Sequence, residues 1–337
     1  MDSEDLELFQ TSLERILQDA PLEDIDRAGG LSKDADVLWR TLDENGFIRL
    51  CAAEALGGMG LPLADALPLV ELSGRSALPA PFGDSVLAHA ILSEVGFKAP
   101  EARVGIALGQ QGILPHATQC THALALNGPS KAPMLTLYAI SRETVEPFPK
   151  MEDGMGTFDT ASAEVVFDTI APDWLTHEAI NALGAVVRSA QMAGALRAVL
   201  EITLSHTAER EQFGRPLTKF QAIQHYLSNI ACEAAAAAAA LELAGDALRD
   251  DAKLTGPALR DIGIAKLRCG QAASVVAAAA HQAHGALGFT REYKLGCFTR
   301  RLWQWQDEFG SETEWALYLG RNIAANPSGR LWGRVSA

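Results

Sequence analysis

Beyond Pro172 the chain keeps one period almost to its end. Apolar residues return at spacings of three and four: Met192, Leu196, Val199 and Ile202, then Phe220, Ile223, Leu227 and Ile230, then Leu259, Ile262, Ala265, Cys269 and Ala272. Side chains that recur in this way share one face of an α-helix, whereas a strand demands alternation. Thr255-Gly256-Pro257 supplies a start signal for the last of these helices, because proline is tolerated in a first turn. The run Ala234 to Ala240 combines high helix propensity with small side chains, which suits close helix contact. The region from residue 173 to 337 is therefore expected to be a long helical bundle.

The rest of the chain has a different texture. Between residues 101 and 172, the short apolar runs His122 to Leu126, Met134 to Ile140 and Ala163 to Phe167 are separated by Asn127-Gly128-Pro129, by Glu146-Pro147 and by glycines, and read as strands of a small β domain. Residues 1–100 return to helical spacing at Leu6, Leu13, Ile16 and Leu17, with further helices over Asp34 to Asn45 and from Leu63 to Gly74. Gly57-Gly58-Met59-Gly60 is a breaker cluster; its spacing and context do not match a phosphate-binding glycine loop. The expected class is α+β and mostly α, ordered as a helical domain, a β domain and a bundle.

With 337 residues, 48% of them hydrophobic, the chain can bury a core without staples. A formal net charge of −14 opposes binding to nucleic acid or to an anionic membrane surface. Five cysteines, Cys51, Cys120, Cys232, Cys269 and Cys297, are scattered and odd in number, as expected of reduced thiols. The acidic start and the lack of any apolar run near the length of a membrane span give the expectation of a cytoplasmic protein. His281 and His284 lie three apart, and Asp173 with His177 and His206 with Glu209 are mixed pairs at helical spacing, read as surface pairs. No Glu-x-x-His, His-Glu-x-x-His, Walker or Gly-x-Ser-x-Gly motif occurs, and no metal is expected.

Two strings in the helical half carry more information. Arg210-Glu211-Gln212-Phe213-Gly214-Arg215-Pro216-Leu217 is followed by Phe220-Gln221, and Gln282-Ala283-His284-Gly285-Ala286-Leu287-Gly288-Phe289-Thr290 comes some seventy positions later. Arg210 offers a permanent cation with a planar fork of donors suited to phosphate oxygens. Gly285 and Gly288 let backbone N–H groups approach an anion, and Gln282 both donates and accepts. Together the strings resemble the two FAD-binding signatures of acyl-CoA dehydrogenases. Leu38-Trp39-Arg40 through Glu44-Asn45-Gly46, and Glu54-Ala55-Leu56-Gly57-Gly58-Met59-Gly60, are similar to that family's first domain. The resemblance implies a helical domain, a middle β domain and a C-terminal four-helix bundle. It also implies that Arg210, Gln212, Phe213, Gly214, Leu217, Phe220, Gln282, Gly285, Ala286 and Gly288 hold the adenosine and pyrophosphate end of an FAD whose flavin sits in a neighbouring subunit. Ala286 departs from the family's glycine.

The family's reaction takes a proton from the carbon beside a thioester carbonyl while a hydride goes to the flavin, so a carboxylate must stand within reach. One family position for it precedes the glycine that lies seventeen residues after a tyrosine, which from Tyr293 is Gly310, and the position is Phe309. The other lies twenty-six residues before the signature arginine, at Gly184. Neither side chain accepts a proton, and Glu308 is one residue away, a rotation of roughly 100° on a helix. The family's flavin-contacting loop and strand motifs are missing between Pro100 and Pro172, so the β domain looks shortened. The resemblance thus implies the short, non-catalytic subunit of an α2β2 acyl-CoA dehydrogenase of the steroid side-chain-degrading type. Its partners would be a longer catalytic dehydrogenase subunit, an acyl-CoA and electron-transfer flavoprotein as acceptor. The alternatives are a self-sufficient homo-oligomeric dehydrogenase using Glu308 or another carboxylate, and a flavin-free scaffold or regulatory subunit. Trp303, Trp305 and Trp315 are candidates for an apolar contact surface or for core packing.

Overall fold

A computed structural model describes residues 3–108, 112–129, 133–148, 154–251 and 254–325. Five helices come first: α1 (Ser3–Asp19), α2 (Leu22–Arg27), α3 (Lys33–Glu44), α4 (Leu63–Arg75) and α5 (Phe82–Glu94). Ser32 caps α3 by accepting from the Ala35 N–H at 3.1 Å, which satisfies one of the donors that a helix start leaves bare.

Seven strands follow: β1 (Val104–Ile106), β2 (Ile113–Leu114), β3 (His122–Asn127), β4 (Met134–Ala139), β5 (Val145–Pro147), β6 (Gly156–Phe158) and β7 (Glu164–Ile170). They form a four-stranded sheet in the order β1-β3-β4-β7 and a three-stranded sheet in the order β2-β6-β5. In β3–β4 the register pairs Leu124 with Leu137 and Ala123 with Tyr138, so both faces carry apolar residues. The strand expected to end at Phe167 continues to Ile170 because β7 pairs with β4 as far as Met134.

The last segment holds α6 (His177–Glu209), a hairpin of β8 (Glu211–Gln212) and β9 (Arg215–Pro216), α7 (Gln221–Asp250), α8 (Gly256–His284), α9 (Leu295–Asp307) and α10 (Glu312–Ala324). Thr176 caps α6 through the Ala179 N–H, Thr255 precedes α8 as its proline requires, and Ser311 with Glu314 makes a reciprocal capping box on α10. At 33 residues α6 is about 50 Å long at ~1.5 Å per residue, and it runs through the centre of the molecule.

Two glycines seat α6. A Cβ on Gly74 of α4 would lie 1.9 Å from the Gln191 carbonyl oxygen, and one on Gly194 of α6 would lie 2.0 Å from that of Glu71. The two backbones therefore cross at a distance no other residue permits.

Of the three tryptophans that are candidates for either a contact surface or core packing, Trp305 (1% exposed) and Trp315 (5%) are core residues and Trp303 (47%) is open. Trp305 packs among α6, α8 and α9, and Trp315 fills the space left by Gly263 and Gly310. Composition alone does not separate the two roles. One described helix, α7, is long and apolar enough to cross a membrane, a difference from the sequence reading that arises from its alanines; here it packs against α6 and α8.

Candidate functional site

The first turns of α6 face a cleft between the bundle and the β domain. His177, Asn181, Gly184 and Arg188 recur at helical spacing and form a stripe pointing inward. A cavity of about 1000 Å3 opens beside the stripe, lined by Ile106, Leu108, Asn127, Phe158, Asp159, Glu178 and Asn181 among others, with Phe309 at its floor. A second, of about 750 Å3, adjoins it and shares Leu108, Glu178, Asn181 and Phe309, with Asp307, Glu308, Glu314, Trp315 and Tyr318 also in its lining. Among the described lining residues no lysine or arginine appears; the charged side chains are carboxylates.

The two positions at which the resemblance places the family's base, both without one in this sequence, meet here and fill each other. The Phe309 ring lies on Gly184 so tightly that a Cβ there would fall 1.9 Å from the ring. Phe309 is 2% exposed, has a left-handed φ of 55°, and is followed by Gly310 at φ 97°. A bulky residue in that region costs roughly 1–2 kcal/mol and persists only where its surroundings hold it. Here the Trp315 Nε1–H donates to the Phe309 carbonyl at 3.0 Å, and Lys266 Nζ donates to the carbonyls of Gln306 (2.8 Å) and Gly310 (2.9 Å). The Arg188 guanidinium sits 5.4 Å from the centre of the Phe309 ring.

Glu308 lines the second cavity but is 2% exposed, its carboxylate directed to partners in the core. Its Oε2 accepts from Arg188 Nε and its Oε1 from Gln304 Nε2 at 2.8 Å, while Arg188 Nη2 donates to Asp84 at 2.8 Å. All three ionisable groups are at most 2% exposed. Burial, and then the nearby Asp84 charge, push the Glu308 carboxyl above its usual range against the pull of Arg188. The carboxylate thus spends both oxygens on structure. Sequence reading missed this network because Asp84 lies more than a hundred residues from Arg188 along the chain.

The other end of α6 is built in the opposite way. Arg210 is the C-cap of the helix, its N–H donating to the His206 carbonyl at 2.9 Å, and the Leu217 N–H closes the hairpin by donating to the Arg210 carbonyl at 2.9 Å. Phe213 (φ 50°) and Gly214 (φ 77°) make the two-residue turn between Gln212 and Arg215, the left-handed pair that a tight hairpin uses. Phe213 stands 91% exposed at the tip. Phe220 meets it edge-on at 6.0 Å, and the Arg215 guanidinium lies 4.2 Å over the Phe220 ring, a second cation beside Arg210.

The second string arrives at the same end because α8 runs parallel to α6. Gln282 is exposed, and Gly285 ends α8 at φ 61° with open space where a Cβ would stand. Ala286 is exposed too, so its methyl crowds nothing in the chain itself, and Phe289 is 73% exposed. Gly288 differs: it is buried, and a Cβ there would meet His284 at 3.0 Å, so its glycine serves packing within the loop. His206 does not pair with Glu209. Its ring stacks on that of His284 at 4.4 Å and 18°, while Glu209 accepts from Ser205 Oγ at 2.7 Å. Helical spacing suggests the pair, but the end of α8 presents a flat ring to His206 instead. His281 and His284 enter separate ring stacks, His281 with Phe289 and His284 with His206.

The exposed arginines, the strained aromatic tip and the bare glycine backbone fit the phosphate and ring surfaces of a dinucleotide; the cleft, with its filled floor and carboxylate lining, does not. Comparison with known proteins agrees with the geometry of the bundle: residues 179–304 match the acyl-CoA dehydrogenase C-terminal domain. The match falls on the C-terminal bundle, and relatives of that family align along most of the chain. It is 27% identical to the acyl-CoA dehydrogenase IpdE2 of Mycolicibacterium smegmatis over 78% of this chain and 80% of that protein. It is 28% identical to IpdE2 of Mycobacterium tuberculosis over 78% of this chain and 79% of that one. In fold it is similar to a chain of the Tcur3481–Tcur3483 steroid ACAD, with a TM-score of 0.81, 23% identity and coverage of 97% and 99%. It is also similar to a chain of the ChsE4–ChsE5 complex from Mycobacterium tuberculosis, with a TM-score of 0.76, 18% identity and the same coverage. The middle and first domains share this acyl-CoA dehydrogenase fold with their structural relatives.

Proposed function

We propose that this acyl-CoA dehydrogenase family chain is the non-catalytic subunit of a heteromeric enzyme, lending a nucleotide clamp to a longer partner that holds the flavin ring, the acyl-CoA pocket and the base. The observation that carries the reading is the mutual filling of Gly184 and Phe309, the two positions where the family keeps its carboxylate. A cleft whose described charged lining is acidic also repels the pyrophosphates of FAD and of CoA. Names of structural relatives support the assembly and the substrate class: two are complexes of paired dehydrogenase chains, and one is a steroid ACAD. The substrate is then a steroid-type acyl-CoA thioester, electron-transfer flavoprotein is the acceptor, and the complex is cytoplasmic.

In this arrangement FAD, when bound, supplies the hydride acceptor for α,β-desaturation of the thioester. The work of this chain is binding. Arg210, with Gln212 beside it on the hairpin, meets the pyrophosphate, and the Phe213 tip with Gly214 covers the adenosine. Leu217 and Phe220 brace the hairpin from beneath. Gln282 and the backbone of Gly285 and Ala286 receive the ribose side, over the turn that Gly288 keeps compact. The clamp and the cleft of one chain lie at opposite ends of α6, about 45 Å apart at ~1.5 Å per residue from Asn181 to Arg210. One FAD cannot join them, so a clamp on this chain serves a ring held by another.

The test is coexpression with a longer dehydrogenase that carries the glutamate. One FAD per heterodimer, lost in Arg210→Ala with assembly intact, is the expected result. A flavin-saturated enzyme formed by this chain alone would show instead that it is self-sufficient. An Arg210→Ala complex with full FAD content would leave the chain as a flavin-free scaffold.

A further inference from the structure

The two halves of the clamp come from different helices, yet they must present one surface. What joins them is a set of rings. His206, four residues before Arg210 on α6, stacks on His284, the last residue of α8, at 4.4 Å. Tyr293 closes over both, at 5.2 Å from His284 and 6.2 Å from His206. His281, one turn earlier on α8, is stacked between Phe289 (4.6 Å) and Trp303 (6.0 Å), and its Nε2 pairs with Thr299 Oγ1 at 3.1 Å. The Gly285–Phe289 turn is thereby folded onto the imidazoles, and one imidazole of α6 reaches in to meet them.

We infer that the His206–His284 stack is the joint that sets Arg210 against the Gly285 turn, making both histidines positioning residues for FAD. The inference rests on the clamp reading above and deepens it. His284 fixes the tautomer: Nδ1 donates to the Ala280 carbonyl at 2.8 Å, leaving Nε2 as a bare acceptor, 6% exposed with its residue and without a partner. Burial holds the His284 imidazole down at about 4 and also lowers that of His206, so near neutral pH the stack is uncharged. The groups around it are Glu209 and Arg210 on α6, His281 on α8 and Tyr293 in the loop that follows. A proton on His206 stands beside Arg210 at i,i+4, where like charges repel, and Glu209 only partly offsets it. Acid therefore spreads the joint and loosens the clamp.

The experiment uses the assembled complex and follows FAD release by flavin fluorescence at about pH 7.5 and about pH 4.5, the lower value chosen because both imidazoles are depressed. The natural chain is expected to lose about tenfold in FAD affinity across that interval. His206→Ala is expected to show a similar loss already at the higher pH, whereas His206→Phe, which keeps a flat ring and cannot titrate, regains the affinity and flattens the pH profile. Unchanged affinity in His206→Ala, a natural pH profile in His206→Phe, or tighter binding in acid overturns the joint. Should His206→Ala fail to assemble, the His206→Phe profile decides alone. Arg210→Ala in parallel separates the two ideas: if FAD ignores Arg210 the clamp reading falls, and if FAD depends on Arg210 but not on His206 only the joint does.

Discussion

The two ends of α6 are made to opposite specifications. At its start, Gly184 accepts a phenylalanine ring, Arg188 joins two buried carboxylates, and Lys266 and Trp315 tie down the backbone around Phe309. At its finish, Arg210, Phe213 and Gly285 stand open to solvent. In one chain the proposed relic of a catalytic corner is core, while the proposed nucleotide clamp is surface. A buried, fully paired site resists change through packing; an exposed one can be substituted at little cost in stability.

The largest effect expected at the packed end is from Arg188→Ala. It strands Asp84 and Glu308 without their shared cation, and breaking a buried ion pair in this way costs about 3–5 kcal/mol. Urea unfolding of the variant checks this; a loss under about 1 kcal/mol would mean the carboxylates find other partners. Gly184→Ala comes next. Its methyl would have to displace the Phe309 ring, an overpacking worth about 1–3 kcal/mol, and Phe309→Leu in the same chain should recover part of the loss.

A third test compares the ends by pH. Burial lowers the imidazoles of His89 to about 4 and His116 to about 3, and that of His284 to about 4. A histidine depressed in the folded state leaves the unfolded chain with more bound protons, so stability is full above the unfolded value near 6.5 and falls as pH drops toward the folded values. The melting temperature should therefore decline between about pH 6.5 and pH 4 by several degrees. In His284→Phe the decline should shrink only modestly, because His89 and His116, away from the clamp, carry the rest.

Much of this contrast was readable from residue order alone. The period after Pro172 and the strand runs of the middle region depend on spacing, which sequence preserves, and the count from Tyr293 to Gly310 uses the same property. The left-handed φ of Phe309 and Gly310 marks the loop at which that count arrives. The direction of side chains was not readable. Glu308 looked like a base one residue out of place, and only the distant Asp84, brought in by α5, shows why it faces inward. Likewise His206 and Glu209 have the spacing of a surface pair, but stacking on a ring from another helix decides the outcome. Trp305 and Trp315 have the composition of an interface and the location of a core. In each case the deciding contact is long-range.

The smallest expected effect on folding separates the two ends most sharply. Phe213 contributes almost no buried surface at 91% exposure, and its φ of 50° is one that glycine adopts freely. Phe213→Gly removes backbone strain and adds freedom to the unfolded chain, two effects that oppose each other, so stability should change by no more than about 0.5 kcal/mol. If the hairpin exists to cover a nucleotide in the partner, the same substitution should lower the FAD content of the assembled complex several-fold, while Phe309→Gly, at the packed end, does the reverse and costs stability first. Equal FAD content in the natural and Phe213→Gly complexes would mean that the open end, too, is no more than surface.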